Sequence, residues 1–337
     1  MRDRFLRACR KEKVDQVPVW FMRQAGRYME EYRHLRKRYS ILEIAKTPKL
    51  ASAVTLQPIK AFPLDAAIIF SDILIPLEPM GIKVEFSPKP NIKNPVKRPS
   101  CLRRLKDFKA NDKLAFVGEA IEQTVPKLKG LPLIGFSAAP FTLASYLIEG
   151  GPSKDFLKTK IFMHQYPEAW NSLMEKLVQV LSDYLKLQAL SGAGALQIFD
   201  SWIGALSPED YRNYVKDHSH RLIQNAQKTK VPVIHFGTGQ SGFLEDFAEA
   251  GGDVIGVDWR IDIQEASRRI GDKALQGNLD PALLLCDSQS LRQGVDSILK
   301  KAGHKRGFIF NIGHGLFPQT DPKKVKEVVE RVHSFHG

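Results

Sequence analysis

Residues 308–312 read Phe-Ile-Phe-Asn-Ile and residues 66–70 read Ala-Ala-Ile-Ile-Phe. Neither run alternates apolar with polar, as a strand with one wet face would. Continuous apolar character is the mark of a parallel strand covered on both faces. Working outward from these two, eight short β-rich segments recur, at 18–23, 65–70, 132–137, 195–200, 231–236, 253–258, 273–278 and 308–312. Helical spacing lies between most of them, over 169–190, 208–227, 240–250 and 321–333. Ser207-Pro and Asp321-Pro are N-cap signals for two of these helices. Eight strands alternating with helices predict an α/β chain, a single-domain (β/α)8 TIM barrel over residues 1–337; a doubly wound sheet is the alternative. Residues 76–103 interrupt the alternation. Prolines crowd both sides of Ile82-Lys-Val-Glu-Phe86, which predicts an extra hairpin or loop excursion after the second strand.

The composition narrows the function classes. Lys and Arg total 50 against 37 Asp and Glu, a formal net charge of +13. That charge serves solubility or steers an acidic ligand. The basic residues are dispersed, with no zinc-finger spacing, RNP pattern or Lys/Arg tract, so no nucleic-acid partner is expected. The cysteines, Cys9, Cys101 and Cys286, lack CxxC spacing and are odd in number, which fits a reducing cytoplasm. No apolar run approaches the roughly 18 residues of a membrane span, and the charged start lacks a signal-peptide core. No metal or cofactor motif stands out.

In a (β/α)8 barrel the active site gathers at the C-terminal strand ends. Polar residues fall at all eight: Arg23-Gln24, Ser71-Asp72, Ser137 with Tyr146 beyond it, Asp200-Ser201, His235, Asp258, Asn278-Leu-Asp280, and Asn311-Ile-Gly-His314. Arginines crowd the first end at Arg23, Arg27, Arg33 and Arg36, with Gly26 among them. Converging planar guanidinium forks suit a ligand with several carboxylates or phosphates. Each position also has a plain structural reading. Arg23 could pair with Asp258, Asp72 could cap the following helix, Tyr146 could be core, and Ser201 could be a turn residue. His235 could be a satisfied core histidine; Asp258 and Asp280 read as structural.

Two longer stretches carry a family resemblance. Pro18-Val-Trp-Phe-Met-Arg-Gln-Ala-Gly-Arg27 and Gly135-Phe-Ser-Ala-Ala-Pro-Phe-Thr-Leu-Ala-Ser-Tyr-Leu-Ile-Glu-Gly150 resemble the two signatures of uroporphyrinogen decarboxylases. Shorter pieces agree at 65–74, 197–201, 277–280 and 313–315. The resemblance implies a cofactor-free barrel, a homodimer, and an octa-carboxylate substrate. The implied reaction removes CO2 from the four acetates of uroporphyrinogen III to give coproporphyrinogen III in haem and tetrapyrrole synthesis. Residue by residue, it assigns carboxylate contacts to Arg23, Arg27 and Arg36, with Gln24 beside them. It makes Asp72 the carboxylate that faces the pyrrole N–H groups. Tyr146, Ser201 and His314 match a polar wall, Phe136 and Phe199 an apolar one. Catalysis is expected from Asp72, Arg23, Tyr146 and His314. The chain departs from the family at Glu30, where proline is usual, which predicts a differently shaped loop around Arg33 and Arg36.

Two alternatives accompany this reading. One is a zinc-dependent corrinoid methyltransferase of the same superfamily, which binds zinc through a His-x-Cys pair; here Val233-Ile-His235-Phe-Gly237 has glycine at the thiolate position. The other is a non-catalytic tetrapyrrole-binding protein.

Overall fold

The structure, a computed structural model, describes residues 2–86, 89–303 and 305–335. Among the described residues nine strands form: β1 (Ala67–Ile68), β2 (Val84–Phe86), β3 (Pro90–Ile92), β4 (Leu133–Ala138), β5 (Ala195–Asp200), β6 (Val233–Gly237), β7 (Val254–Gly256), β8 (Ala274–Leu279) and β9 (Phe308–Ile312). Seven make one parallel sheet in the order β1-β4-β5-β6-β7-β8-β9. Every residue of β4, β6, β8 and β9 is buried, as unbroken apolar runs between helices require.

The sheet curls, and its interior contacts show it. Trp20 Nε1 donates to Gln276 Oε1 at 3.0 Å, and Gln276 Nε2 donates to Gln197 Oε1 at 3.1 Å. Gln197 is on β5 and Gln276 on β8, with β6 and β7 between them in the sheet order, so their side chains meet across the concave side. Residues 18–20 lie between the sheet's two ends. Phe310 N donates to Pro18 O at 2.9 Å, and Asp65 N donates to Val19 O at 2.9 Å.

Sequence and structure differ at that segment. Only Val19 makes a ladder bridge, to Phe310. Pro18 has no N–H to give, and the Val19 N–H goes to the Asp65 carboxylate at 2.8 Å instead of to a strand. Asp65, 4% exposed, also accepts from Arg4 Nη1 at 2.6 Å and lies 2.8 Å from His333 Nε2. One buried carboxylate thus joins the first helix, the 18–20 segment and the last helix. Asp65→Ala strands those donors, and we expect it to cost roughly 3–5 kcal/mol, read as a lower urea midpoint with an unchanged m-value.

Helices start where the caps predict. Ser207 Oγ accepts from Asp210 N at 3.0 Å, and Asp321 from Lys323 N at 2.8 Å. The expected helix over 208–227 is two, Pro208–Tyr214 and Lys216–Gln227, because Val215 leaves helical geometry at φ −131°. Between β1 and β4, β2 and β3 pair antiparallel with Val84 opposite Ile92; Ser87 and Pro88, which join them, lie outside the described residues. This pair is tied to the helix Pro140–Glu149 through Ile92 N to Gly150 O and Val96 N to Leu147 O.

Candidate active site

The apolar run of residues 19–22 ends in a turn built around Gln24. Its side chain accepts from Phe21 N at 3.1 Å and donates to Ala66 O at 3.1 Å. Gln24 is fully buried, which departs from its expected place beside the ligand: the amide holds the turn to β1. Arg23 is pushed out of that turn with φ +59°, a left-handed conformation that is costly for a residue with a Cβ and concentrates at functional sites. Its side chain lies across Gly315, where an added Cβ would stand 2.7 Å from Arg23 Cγ and 2.9 Å from Nε. Gly315→Ala displaces Arg23. The clash is with a flexible side chain, so we expect the fold to survive while kcat/KM falls about 10²-fold, checked by kinetics beside a melting curve.

Glu30 proves to be the first residue of the helix Glu30–Arg36. Proline is favoured at that position because its missing N–H has no intrahelical partner. An acid there favours the helix dipole, so Glu30 and proline serve the same start and the expected reshaping has no cause. Arg33 Nη1 donates to Arg27 O at 3.0 Å and Tyr28 O at 2.8 Å, bracing the loop, and Arg36 Nη1 donates to Tyr39 O. Among the described residues, Arg23, Arg27, Arg33 and Arg36 form no ion pair with a carboxylate. These cations therefore act on nearby acids, Arg23 on Asp72 and Arg36 on Glu43, only through space.

Asp72 follows β1. It accepts from Leu74 N at 2.9 Å, so it holds a turn and does not cap the short helix Ile75–Leu77 that follows, and part of its surface stays open. Burial raises its pKa, opposed by the Leu74 N–H and by Arg23. Electrostatic reach shows what surrounds it. Burial raises the Tyr146 phenol, Asp72 raises it further and Arg23 opposes. Burial raises the Tyr32 phenol, with Arg36 and Arg27 opposing and Asp72 reinforcing. His314 is pushed down to about 4 by burial, then by Arg23 and Arg260, so its imidazole is neutral at pH 7. Arg23 thus acts electrostatically on Asp72, Tyr146 and His314, Asp72 acts on Tyr146 and Tyr32, and Arg27 and Arg36 act on Tyr32.

Aromatic side chains near these strand ends pack against one another. Phe136 and Phe199, on neighbouring strands, meet edge to face at 5.5 Å between centroids. Trp202 lies against Tyr146 at 3.8 Å and against Phe156 at 4.9 Å. Ser201 is half-buried beside Trp202, and its carbonyl accepts from Thr238 Oγ1. Trp202, Tyr32 and Arg260 were not picked out from the sequence. Trp202 was findable as the aromatic directly after Asp200-Ser201, and Arg260 as the cation two residues past Asp258.

Other polar strand ends serve the scaffold. Asp258, 1% exposed, accepts from Gly239 N at 2.9 Å and pairs with Arg260, which stacks on Trp259; it is not the partner of Arg23. Asp280 accepts from Ala282 N at 2.9 Å and caps a turn. His235 is fully buried and stacked on Phe247 at 3.7 Å, and burial pushes its pKa down to about 3. A Cβ at Gly237 would stand 2.9 Å from the Phe247 ring, so this core has no room for the thiolate of a His-x-Cys zinc site. A surface hollow of about 320 Å³ contains His218 and Arg221, but those two already bond each other at 2.7 Å.

Asp200 is fully buried at the end of β5. Burial pushes its carboxyl up to about 7, with the Thr142 hydroxyl opposing. A raised acid pKa means the folded state holds the proton more tightly than the unfolded one. Stability from this group therefore falls as pH rises from about 4 to about 7, on the order of a few kcal/mol at most. Asp200→Asn should flatten the fall in Tm over that window.

The uroporphyrinogen decarboxylase family model matches residues 1–335. A uroporphyrinogen decarboxylase of Sorangium cellulosum is 50% identical, over 99% of this chain and 97% of its own. Those of Solibacter usitatus and Thermus thermophilus are 49% and 48% identical, over 99% and 98% of this chain and 98% and 97% of their own. Among solved structures, a methyltransferase from Methanosarcina mazei superposes with a TM-score of 0.80 over 98% of this chain and 97% of its own; at 19% identity it shares the fold. The chain belongs to the uroporphyrinogen decarboxylase family.

Proposed function

We propose that this protein decarboxylates the four acetate side chains of uroporphyrinogen III, without a cofactor, to give coproporphyrinogen III and four CO2 in haem and tetrapyrrole synthesis. The observation that carries this reading is a partly open carboxylate, Asp72, near arginines that form no ion pair among the described residues. The substrate is the complement of that arrangement: a ring of inward-pointing pyrrole N–H donors with carboxylates around its rim. Asp72 accepts from the N–H groups; Arg23, Arg27 and Arg36 receive rim carboxylates.

The chemistry needs a place for electrons. Protonation of a pyrrole ring carbon makes the ring cationic. The bond between the acetate methylene and its carboxylate then breaks, CO2 leaves, and the electron pair passes into the ring. Protonation of the exocyclic methylene gives a methyl group and the ring proton departs, so each turnover exchanges CO2 for one proton. Asp72 stabilises positive charge that is greatest near the transition state, where such interactions accelerate reaction. Arg23 orients the reacting acetate. Neutral His314 offers an N–H to a carboxylate, and an incoming polyanion offsets the Arg23 and Arg260 fields that hold it neutral. Tyr146 and Ser201 supply hydroxyls, Phe136 and Phe199 the apolar wall.

We further read residues 18–20 as the eighth stave of a closed single-domain (β/α)8 barrel, with β2 and β3 as the excursion hairpin, in a cytoplasmic homodimer. Among the described residues no helix is long and apolar enough to cross a membrane. The test is anaerobic incubation of metal-stripped protein with enzymatically generated uroporphyrinogen III, with products sorted by carboxylate number. Stepwise seven- to four-carboxylate products support the proposal. Binding without products would leave a tetrapyrrole-binding protein, and zinc-dependent turnover would overturn the cofactor-free mechanism.

A further inference from the structure

Thr142 and Tyr146 stand one turn apart on the helix Pro140–Glu149 and so share a face. Both are held by the same residue on the next loop. The Trp202 backbone N–H donates to Thr142 Oγ1 at 3.3 Å, and the Trp202 ring lies on the Tyr146 ring at 3.8 Å and 31°. Two attachments to one helix, four residues apart, fix both the loop and the ring. Phe156 also lies against the indole, at 4.9 Å between ring centroids.

The Thr142 hydroxyl can accept from Trp202 only if its own proton points elsewhere. Asp200 provides the direction: Thr142 Oγ1 donates to Asp200 Oδ1 at 2.8 Å. Both residues are fully buried. A buried carboxylate is costly to retain, and the other oxygen of Asp200 has no hydrogen-bond partner among the described residues. Burial of this acid is poorly matched to stability, and its bond to Thr142 Oγ1 serves the hydroxyl that anchors Trp202.

We propose that Thr142 and Asp200 are positioning residues for Tyr146: Asp200 orients the Thr142 hydroxyl, Thr142 anchors the Trp202 loop, and the indole presses the Tyr146 ring toward Asp72. The inference deepens the decarboxylase reading and rests on it for its kinetic consequence. Neither residue touches substrate. What they control is the orientation of a phenol at the substrate wall, which alters kcat more than substrate binding.

Thr142→Val removes the hydroxyl at nearly constant volume, and Thr142→Ser restores it. Thr142→Val should lower kcat about 10-fold with KM changed less than about 3-fold, and Thr142→Ser should recover most of it. In a Tyr146→Phe background Thr142→Val should add little, since both changes act through one phenol. The clamp also has a reading independent of turnover. The emission of Trp202, taken as wild type minus Trp202→Phe, should shift in Thr142→Val and return in Thr142→Ser. Unaltered emission, a Thr142→Ser variant as impaired as Thr142→Val, or a full Thr142→Val effect in the Tyr146→Phe background would overturn the clamp. A wild-type protein without turnover but with the emission shift would overturn the decarboxylase reading alone.

Discussion

Asp72→Asn is expected to lower kcat about 10³-fold, a loss of about 4 kcal/mol in transition-state stabilisation. The amide keeps the size of the carboxylate and still caps Leu74 N–H through its oxygen. It loses the charge that answers a protonated pyrrole, and it turns half of the acceptor into a donor facing pyrrole N–H groups. Stability should move the other way. Burial raises the Asp72 pKa, so keeping this group ionised opposes folding above its unfolded pKa, and the contribution worsens as pH rises. The variant should therefore melt no lower than wild type at pH 7. Activity lost with stability kept separates a reacting group from a structural one. The same raised pKa moves the acid limb of wild-type kcat/KM upward from where an unperturbed aspartate would place it, and that limb should vanish from the residual activity of the variant.

Arg23→Met should lower kcat/KM by about 10²- to 10³-fold, and Arg23→Lys should recover little, because an ammonium cannot grip a carboxylate at two points. Arg23 is set for this task by its left-handed backbone, by the Gln24 bonds to Phe21 and Ala66, and by Gly315 beneath it. No carboxylate in the described chain pairs with it. Arg23 is also one of the cations that hold the His314 pKa down to about 4. The His314 imidazole should consequently titrate at higher pH in Arg23→Met, a change readable by NMR in the absence of any substrate. An unshifted His314 with unimpaired kcat/KM would remove Arg23 from the site.

The strands were legible because burial on both faces writes itself as unbroken apolar runs; 65–70 and 308–312 contain strands and 132–137 and 195–200 nearly coincide with them. The 18–23 run was less so, since its ladder is thinned by Pro18 and by a side chain, Asp65, that is distant in sequence and takes the Val19 N–H. The division of one expected helix at Val215 left no proline or glycine to announce it. At the site, the residue types at strand ends were readable, and Arg23, Asp72, Tyr146 and His314 do act on one another electrostatically. What periodicity cannot show is which polar residue turns inward. Gln24 follows Arg23 directly, yet its amide is consumed by the scaffold, and Asp258 pairs with Arg260 two residues on. The Trp202–Tyr146 stack joins a helix and a loop far apart in sequence and has no local signal.

The most direct test of Asp72 as the central acceptor is a crystal structure with coproporphyrinogen bound under anaerobic conditions. The account predicts pyrrole nitrogens within about 2.7–3.2 Å of the Asp72 carboxylate, with rim carboxylates against Arg23, Arg27 and Arg36. A macrocycle seated with its nitrogens turned away from Asp72, or bound elsewhere on the protein, would contradict it.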